Sequence, residues 1–174
     1  MAGEQTAAID ALKQALQMEI EGKEFYAQAA SQSGNELGRA LLASLAAEED
    51  IHRQVFVRIY EEMRARNAWP AVPFQPDGGQ QLRTVFASAS ERVGEKLWSV
   101  ATELETVRIA RQMETRTYDF YQARRQAASG PLEKDFYEKL AAQEQEHGLV
   151  LADYAEFLRD PAAWFVKKEH PSLD

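Results

Sequence analysis

The chain has 174 residues, 45% of them apolar, and a formal charge of -8 from 28 acidic and 20 basic side chains. These values favour one globular domain over residues 1–174 and argue against disorder. The acidic balance argues against a nucleic-acid partner. The sequence contains no cysteine, which excludes disulfides, cysteine nucleophiles and Cys-ligated iron. It shows no secretory pattern and no apolar run of roughly 20 residues, so we expect a cytoplasmic protein without a membrane partner.

Helical periodicity predicts four long helices, at residues 5–31, 36–66, 96–128 and 131–159. Short breaks rich in Ser, Gly, Asn and Pro would join the first to the second helix and the third to the fourth, giving two antiparallel hairpins. A Pro/Gly-rich crossover over residues 67–81 connects the hairpins, and a short helix is predicted after it. The sequence therefore predicts an all-α four-helix bundle with one long crossover.

The chain end, residues 160–174, is expected to add a short C-terminal helix and a tail. Asp160 and Pro161 are a suitable N-cap and first-turn pair. Trp164 and Phe165 in this helix would pack on the bundle as a hydrophobic lid, whereas His170 in the tail has no metal-binding spacing.

The two hairpins are similar to each other at a constant offset of 95 residues. The matches include Gln17-Met18-Glu19 with Gln112-Met113-Glu114, Phe25-Tyr26 with Phe120-Tyr121, and Glu49 and His52 with Glu144 and His147. Two similar units bury similar faces, so matched residues should face each other across a pseudo-two-fold axis.

Each helix carries an apolar seam at alternating spacings of three and four residues. In the second and fourth helices the seam is interrupted only by Glu49 and His52, and by Glu144 and His147. In the first and third helices a single acidic residue interrupts it, with small neighbours that leave room. These residues are Glu19, between Ala15 and Gly22, and Glu114, between Ala110 and Thr117.

Six ionisable groups therefore point into one layer of the core, where unpaired charges cost several kcal/mol. Two divalent cations would neutralise the four carboxylates, and these oxygen and nitrogen ligands suit iron, manganese or zinc. Each Glu-x-x-His can bind one ion, while the other two carboxylates either bridge the two ions or bind one ion as terminal ligands. The alternative is a buried polar network without metal.

Other polar residues near the seam allow more than one interpretation. Tyr26 and Tyr121 lie seven residues after Glu19 and Glu114. They are either ordinary core aromatics or groups that hydrogen-bond a ligand carboxylate. Acidic residues off the seam are expected on a solvated face; they are Glu21, Glu24, Glu48, Asp50 and Glu146.

Glu19 with Tyr26, Glu49-Asp50-Ile51-His52, Glu114 with Tyr121, and Glu144-Gln145-Glu146-His147 together resemble the rubrerythrin branch of the ferritin-like di-iron proteins. The resemblance covers about residues 10–158. It implies a ferritin-like bundle in which Glu19, Glu49, His52, Glu114, Glu144 and His147 bind two iron ions, and a reaction with hydrogen peroxide or dioxygen.

The chain departs from rubrerythrin proper at two points. It has no cysteine for a rubredoxin-type iron domain, so peroxide reduction would need an external rubredoxin-like electron donor. Thr117 occupies the place of an additional Glu that rubrerythrin uses during peroxide reduction. The remaining ligand set also resembles the ferroxidase centre of bacterioferritins.

Three functions therefore stay open: a rubrerythrin-like peroxidase, a ferroxidase or iron-handling protein, and a redox-silent structural metal-binding protein. We also expect a homodimer, in which the long crossover lets hairpins exchange between chains.

Overall fold

The computed structural model describes residues 2–66, 68–90 and 100–166, and this part of the chain contains helices and no strand. The helices are α1 (Ala2–Gln32), α2 (Glu36–Arg66), α3 (Gln80–Ser90), α4 (Val100–Ala127), α5 (Pro131–Arg159) and α6 (Pro161–Val166). The predicted all-α fold of two hairpins, a crossover and a short C-terminal helix is confirmed. The predicted start of the third long helix at residue 96 lies outside the described residues, as do the side chain of Phe165 and the tail with His170.

The α1–α2 turn is fixed by buried polar side chains. Asn35 caps α2, since its Oδ1 accepts the backbone N–H of Leu37 at 2.9 Å. Glu103 of α4 reaches into this turn and accepts hydrogen bonds from Ser33 at 2.6 Å and from Tyr154 at 2.8 Å. Gly38 lies against these groups, and a Cβ atom there would overlap the Tyr154 hydroxyl and the Glu103 carboxylate. The turn therefore ties α1 and α2 to α4 and α5.

The apolar core forms two clusters along the bundle. The first includes Leu45, Val107 and Leu151, and the second includes Phe56 and Leu140. Because Leu45, Glu49, His52 and Phe56 follow one another along the buried seam of α2, the polar layer lies between the two clusters. Each cluster thus covers one side of the polar layer with hydrocarbon.

The crossover contributes aromatic side chains to this cover. Phe74 is 7% exposed, and its ring centroid lies 5.8 Å from that of His52. Beyond it, Asp77 accepts the backbone N–H groups of Gly79 and Gln81, both at 2.9 Å, which begins α3. Gly78 and Gly79 adopt φ values of 66° and 74°, a region that favours glycine.

The short helix α6 is capped by Asp160, whose Oδ1 accepts the N–H of Ala163 at 2.9 Å. Trp164 is buried and packs edge-on against Phe86 and Phe157, as predicted for this residue. In the described ranges, no helix combines the length and the apolar character needed to cross a lipid bilayer.

Candidate metal centre

Four helices each bring carboxylate or imidazole groups to the same layer. Glu19 lies on α1, Glu49 and His52 on α2, Glu114 on α4, and Glu144 and His147 on α5. All six are at most 4% exposed. Small residues leave the space that the sequence indicated: a Cβ atom at Gly22 would meet the Glu49 carboxylate carbon at 3.4 Å. The structure brings all six sequence-predicted residues together.

The six residues form two overlapping groups of four, in each of which the potential ligand atoms lie within 4.8 Å of one another. One group contains Glu19, Glu49, His52 and Glu144, and the other contains Glu49, Glu114, Glu144 and His147. Glu49 and Glu144 belong to both groups, whereas Glu19 and Glu114 belong to one each. Two ions in these positions would share Glu49 and Glu144, and Glu19 and Glu114 would be terminal ligands. The sequence had left this division open.

Both histidines present Nδ1 to the carboxylates. His52 Nδ1 lies 3.2 Å from Glu19 Oε2 and 3.4 Å from Glu144 Oε1. His147 Nδ1 lies 3.4 Å from Glu49 Oε1 and 3.5 Å from Glu114 Oε2. The two imidazole rings are nearly parallel, with an interplanar angle of 12° and centroids 5.8 Å apart. The arrangement follows the pseudo-two-fold axis predicted from the repeat.

The electrostatics of the layer fit a site for cations. Burial, with the nearby Glu49 charge, raises the pKa of Glu19 to about 8, and burial also raises the pKa of Glu144 well above its ordinary range. Burial alone would lower the histidine pKa values, but the charge of Glu19 raises that of His52 and the charge of Glu114 raises that of His147. Without metal the layer therefore retains protons, and divalent cations can replace them.

Tyr26 and Tyr121 hydrogen-bond the terminal carboxylates across the bundle. The Tyr26 hydroxyl donates to Glu114 Oε1, and the Tyr121 hydroxyl donates to Glu19 Oε1. Burial, reinforced by the neighbouring carboxylates, raises the pKa of both phenols well above the ordinary value. Each tyrosine occupies one carboxylate oxygen, so that Oε2 of Glu19 and of Glu114 faces the histidine of its group. Of the two interpretations of these tyrosines, the hydrogen bond to a carboxylate is the one found.

Glu48 is the residue that sequence reasoning missed. We expected it on a solvated face, but it is only 6% exposed. Its Oε2 lies 3.0 Å from His147 Nε2 and accepts the side-chain N–H of Gln143 at 2.7 Å. Burial alone would raise the pKa of Glu48, yet the hydrogen bond with His147 lowers it below the ordinary value. An ionised carboxylate only accepts, so His147 Nε2 carries a proton, and Nδ1 is the nitrogen that faces the layer and can bind an ion once its own proton is released.

Two features of the sequence could have indicated that Glu48 lies near the buried layer, although it is not part of the apolar seam. Glu48 lies one helical turn before His52 and matches Gln143 at the repeat offset. Of the other off-seam acids, Glu21 and Glu24 are exposed as expected. Asp50 is half-buried and pairs with Lys23 at 2.8 Å and Arg53 at 2.7 Å.

The donor set fits two divalent ions of the iron, manganese or zinc type. Four carboxylates would balance two dipositive charges, and carboxylate oxygen with imidazole nitrogen is the ligand chemistry that these metals take. The buried Nδ1 of His147 makes no hydrogen bond to the described residues and faces the carboxylates of Glu49 and Glu114, which is the position of a ligand atom for an ion that displaces its proton. The structure therefore supports a two-metal site in this layer.

Similarity to known proteins is found at the level of a family. No curated protein and no solved structure matches the chain. The sequence model of the rubrerythrin family matches residues 10–155, a range that holds both hairpins, the crossover and all six residues of the buried layer. This range is most of the chain, and the fold and the acidic layer are those expected of a di-iron protein. The chain belongs to the rubrerythrin family.

Proposed function

We propose that this protein is a di-iron oxidoreductase that reduces hydrogen peroxide to water with electrons from an external donor. The observation that carries the proposal is the pair of overlapping Glu/His groups in the buried layer. Two bound ferrous ions would supply the two electrons that, with two protons, convert one peroxide molecule into two water molecules. The proposed iron ligands are Glu19, Glu49, His52, Glu114, Glu144 and His147. Manganese and zinc accept the same ligands, and iron is proposed because the reaction requires a change of oxidation state.

The surrounding side chains support this role by orienting the ligands and excluding bulk water. Tyr26 and Tyr121 hold Oε1 of the two terminal carboxylates, which fixes their rotamers. Phe56 and Phe74 belong to the apolar cluster on the His52 side of the layer. Exclusion of bulk water strengthens the electrostatic interactions between the ligands and any bound ion.

A cavity of about 300 Å³ leads from the α4–α5 surface to two of the carboxylates. Its lining includes Glu114 and Glu144, together with Tyr118 and Gly148. A Cβ atom at Gly148 would meet no atom within 4 Å, so the space beside this residue is open. The cavity gives a reactant the size of peroxide a route to the buried layer.

The electron donor and the assembly are further parts of the proposal. The sequence has no cysteine, so a rubredoxin-like protein with its own iron would deliver the electrons. We also propose a homodimer, with hairpins exchanged through the long crossover, and light scattering at micromolar concentration tests it. A monomer at that concentration would rule the homodimer out.

Rapid mixing tests the peroxidase function. The protein is loaded anaerobically with two equivalents of Fe²⁺ and mixed in a stopped-flow instrument with peroxide or with dioxygen. We expect oxidation by peroxide to be the faster reaction. The Glu114→Ala variant, which is expected to keep only one of the two ions in the layer, is the control that shows whether the fast phase needs the complete pair. Oxidation by peroxide that is much slower than oxidation by dioxygen would refute the proposal.

A ferroxidase is the second candidate, and Thr117 is the observation that favours it. Rubrerythrin proper is expected to have an additional Glu at this place, but the Thr117 hydroxyl donates to the Met113 carbonyl at 3.1 Å. A six-ligand layer without that Glu resembles an iron-oxidising centre. Faster oxidation by dioxygen, with iron uptake well beyond two ions per chain, would favour this function. A native metal that is redox-silent, such as zinc, would favour a structural role instead.

A further inference from the structure

Glu48 and Gln143 break the symmetry of the buried layer. They occupy equivalent positions of the repeat, each directly before one of the two shared carboxylates, Glu49 and Glu144. Both are buried, at 6% and 7% exposure, and Gln143 Nε2 donates to Glu48 Oε2 at 2.7 Å. The two positions are therefore in contact, but one holds a carboxylate and the other a carboxamide.

The two histidines consequently have different partners on the side that faces away from the layer. His147 Nε2 lies 3.0 Å from the Glu48 carboxylate. His52 Nε2 is buried and has no hydrogen-bond partner among the described residues, and the same is true of Gln143 Oε1. A carboxylate partner makes the imidazole a stronger electron donor and fixes its tautomer. His147 has such a partner at Nε2, and His52 does not.

We propose that Glu48 makes the two metal positions unequal, so that the position formed with Glu114 and His147 binds its ion more tightly and fills first. Glu48 is a positioning residue: it acts through His147 and does not touch the ion. The inference rests on the metal centre of the proposed function but not on peroxide reduction. The two positions differ because only one imidazole, that of His147, is hydrogen-bonded to a carboxylate. The negative charge of Glu48 also lies on the His147 side of the layer.

Three variants separate this effect from general charge removal. Glu48→Gln removes the charge and keeps the side-chain shape. The double exchange of Glu48→Gln with Gln143→Glu moves the carboxylate to the equivalent position of the other hairpin and preserves the composition. Glu146→Gln is the matched control, since Glu146 lies beside His147 in the sequence but pairs with Arg83 at 2.7 Å.

The test uses Co²⁺, which is stable to air in such sites and reports coordination through its visible bands. Calorimetric titration of the metal-free full-length protein gives two stepwise dissociation constants. Crystals grown with one equivalent of Co²⁺ then show, by anomalous scattering, which position is occupied. We expect the ion at the His147 position in the original protein. We expect Glu48→Gln to weaken the first binding step by roughly 10- to 100-fold, and the double exchange to move the first ion to the His52 position.

Each outcome decides the inference. Equal occupancy of the two positions, or a first ion on the His52 side, would overturn it. So would a loss of affinity in Glu48→Gln no larger than in Glu146→Gln. If the double exchange does not fold, as judged by circular dichroism, the single variant and its control still decide. Failure of the original protein to bind Co²⁺ at all would overturn the metal centre, and with it the proposed function, whereas equal binding would overturn this inference alone.

Discussion

Replacing Gly38 with alanine should destabilise the protein, although alanine is the better helix former. The added Cβ would overlap the Tyr154 hydroxyl and Glu103 Oε1 and lie 2.6 Å from Ser33 Oγ. Relief of the overlap requires separating Glu103 from its two donors, Ser33 of the α1–α2 turn and Tyr154 of α5, both of which are buried.

The magnitude follows from these hydrogen bonds. A hydrogen bond to a charged group contributes about 1.5–3 kcal/mol, so two of them give about 3–6 kcal/mol. The intrinsic preference of a helix for alanine over glycine offsets about 1 kcal/mol. The net loss in unfolding free energy is therefore about 2–5 kcal/mol. For a chain of this size it lowers Tm by roughly 4–20 °C.

Gly148→Ala provides the matched control, because this glycine is also helical but a Cβ atom there meets nothing within 4 Å. Its unfolding free energy should rise by up to about 1 kcal/mol. Both variants are compared with the original protein in urea and thermal unfolding, followed by circular dichroism without metal. If Gly38→Ala were as stable as the original protein, or gained stability like Gly148→Ala, the argument from close packing at the turn would be refuted.

Three further predictions concern the buried layer. In the metal-free protein, the free energy of unfolding should fall as pH rises from about 5 to 8. The reason is that folded Glu19 keeps its proton up to a pKa of about 8, while the unfolded carboxyl ionises near 4.5. Urea unfolding at several pH values measures this slope, and a free energy that rises with pH would contradict the prediction. Glu114→Ala should lose one of two bound ions and keep its helices, whereas Glu105→Ala, at an exposed site of the same helix, should keep both ions. Elemental analysis measures the ion content and circular dichroism the helix content. Two ions in Glu114→Ala would mean that the ligand set is wrong. Gly148→Leu should slow azide binding to the oxidised, iron-loaded protein several-fold by filling the α4–α5 cavity, while Gly148→Ala should not; equal azide rates would place the entry route elsewhere.

The bundle and its polar layer could be predicted because each depends on the spacing of residues within single helices. The repeat shows the same spacing in both hairpins. The seams placed Glu49, His52, Glu144 and His147 on buried faces from positions within one helix. The short C-terminal helix was predictable from its end signal, Asp160 before Pro161. None of these inferences needed to know which helices are neighbours.

The features that the sequence did not predict all depend on lateral packing between helices. The hydrogen bond from Tyr26 to Glu114 joins residues 88 apart in the chain, and its direction across the bundle follows only from the arrangement of α1 beside α4. The shared roles of Glu49 and Glu144 likewise need the distances between helices. Glu48 was misplaced because it lies beside the seam, on a flank that α5 covers through Gln143 and His147.

The way in which the six residues of the buried layer are divided between the hairpins bears on the origin of the fold. Each group of four takes residues from both hairpins, so neither hairpin alone can complete a position for an ion. An ancestral single hairpin with this pattern would have assembled the centre only as a symmetric pair of identical chains. Fusion of two copies would allow each half to change independently, and Glu48 opposite Gln143 is a difference that a pair of identical chains could not have.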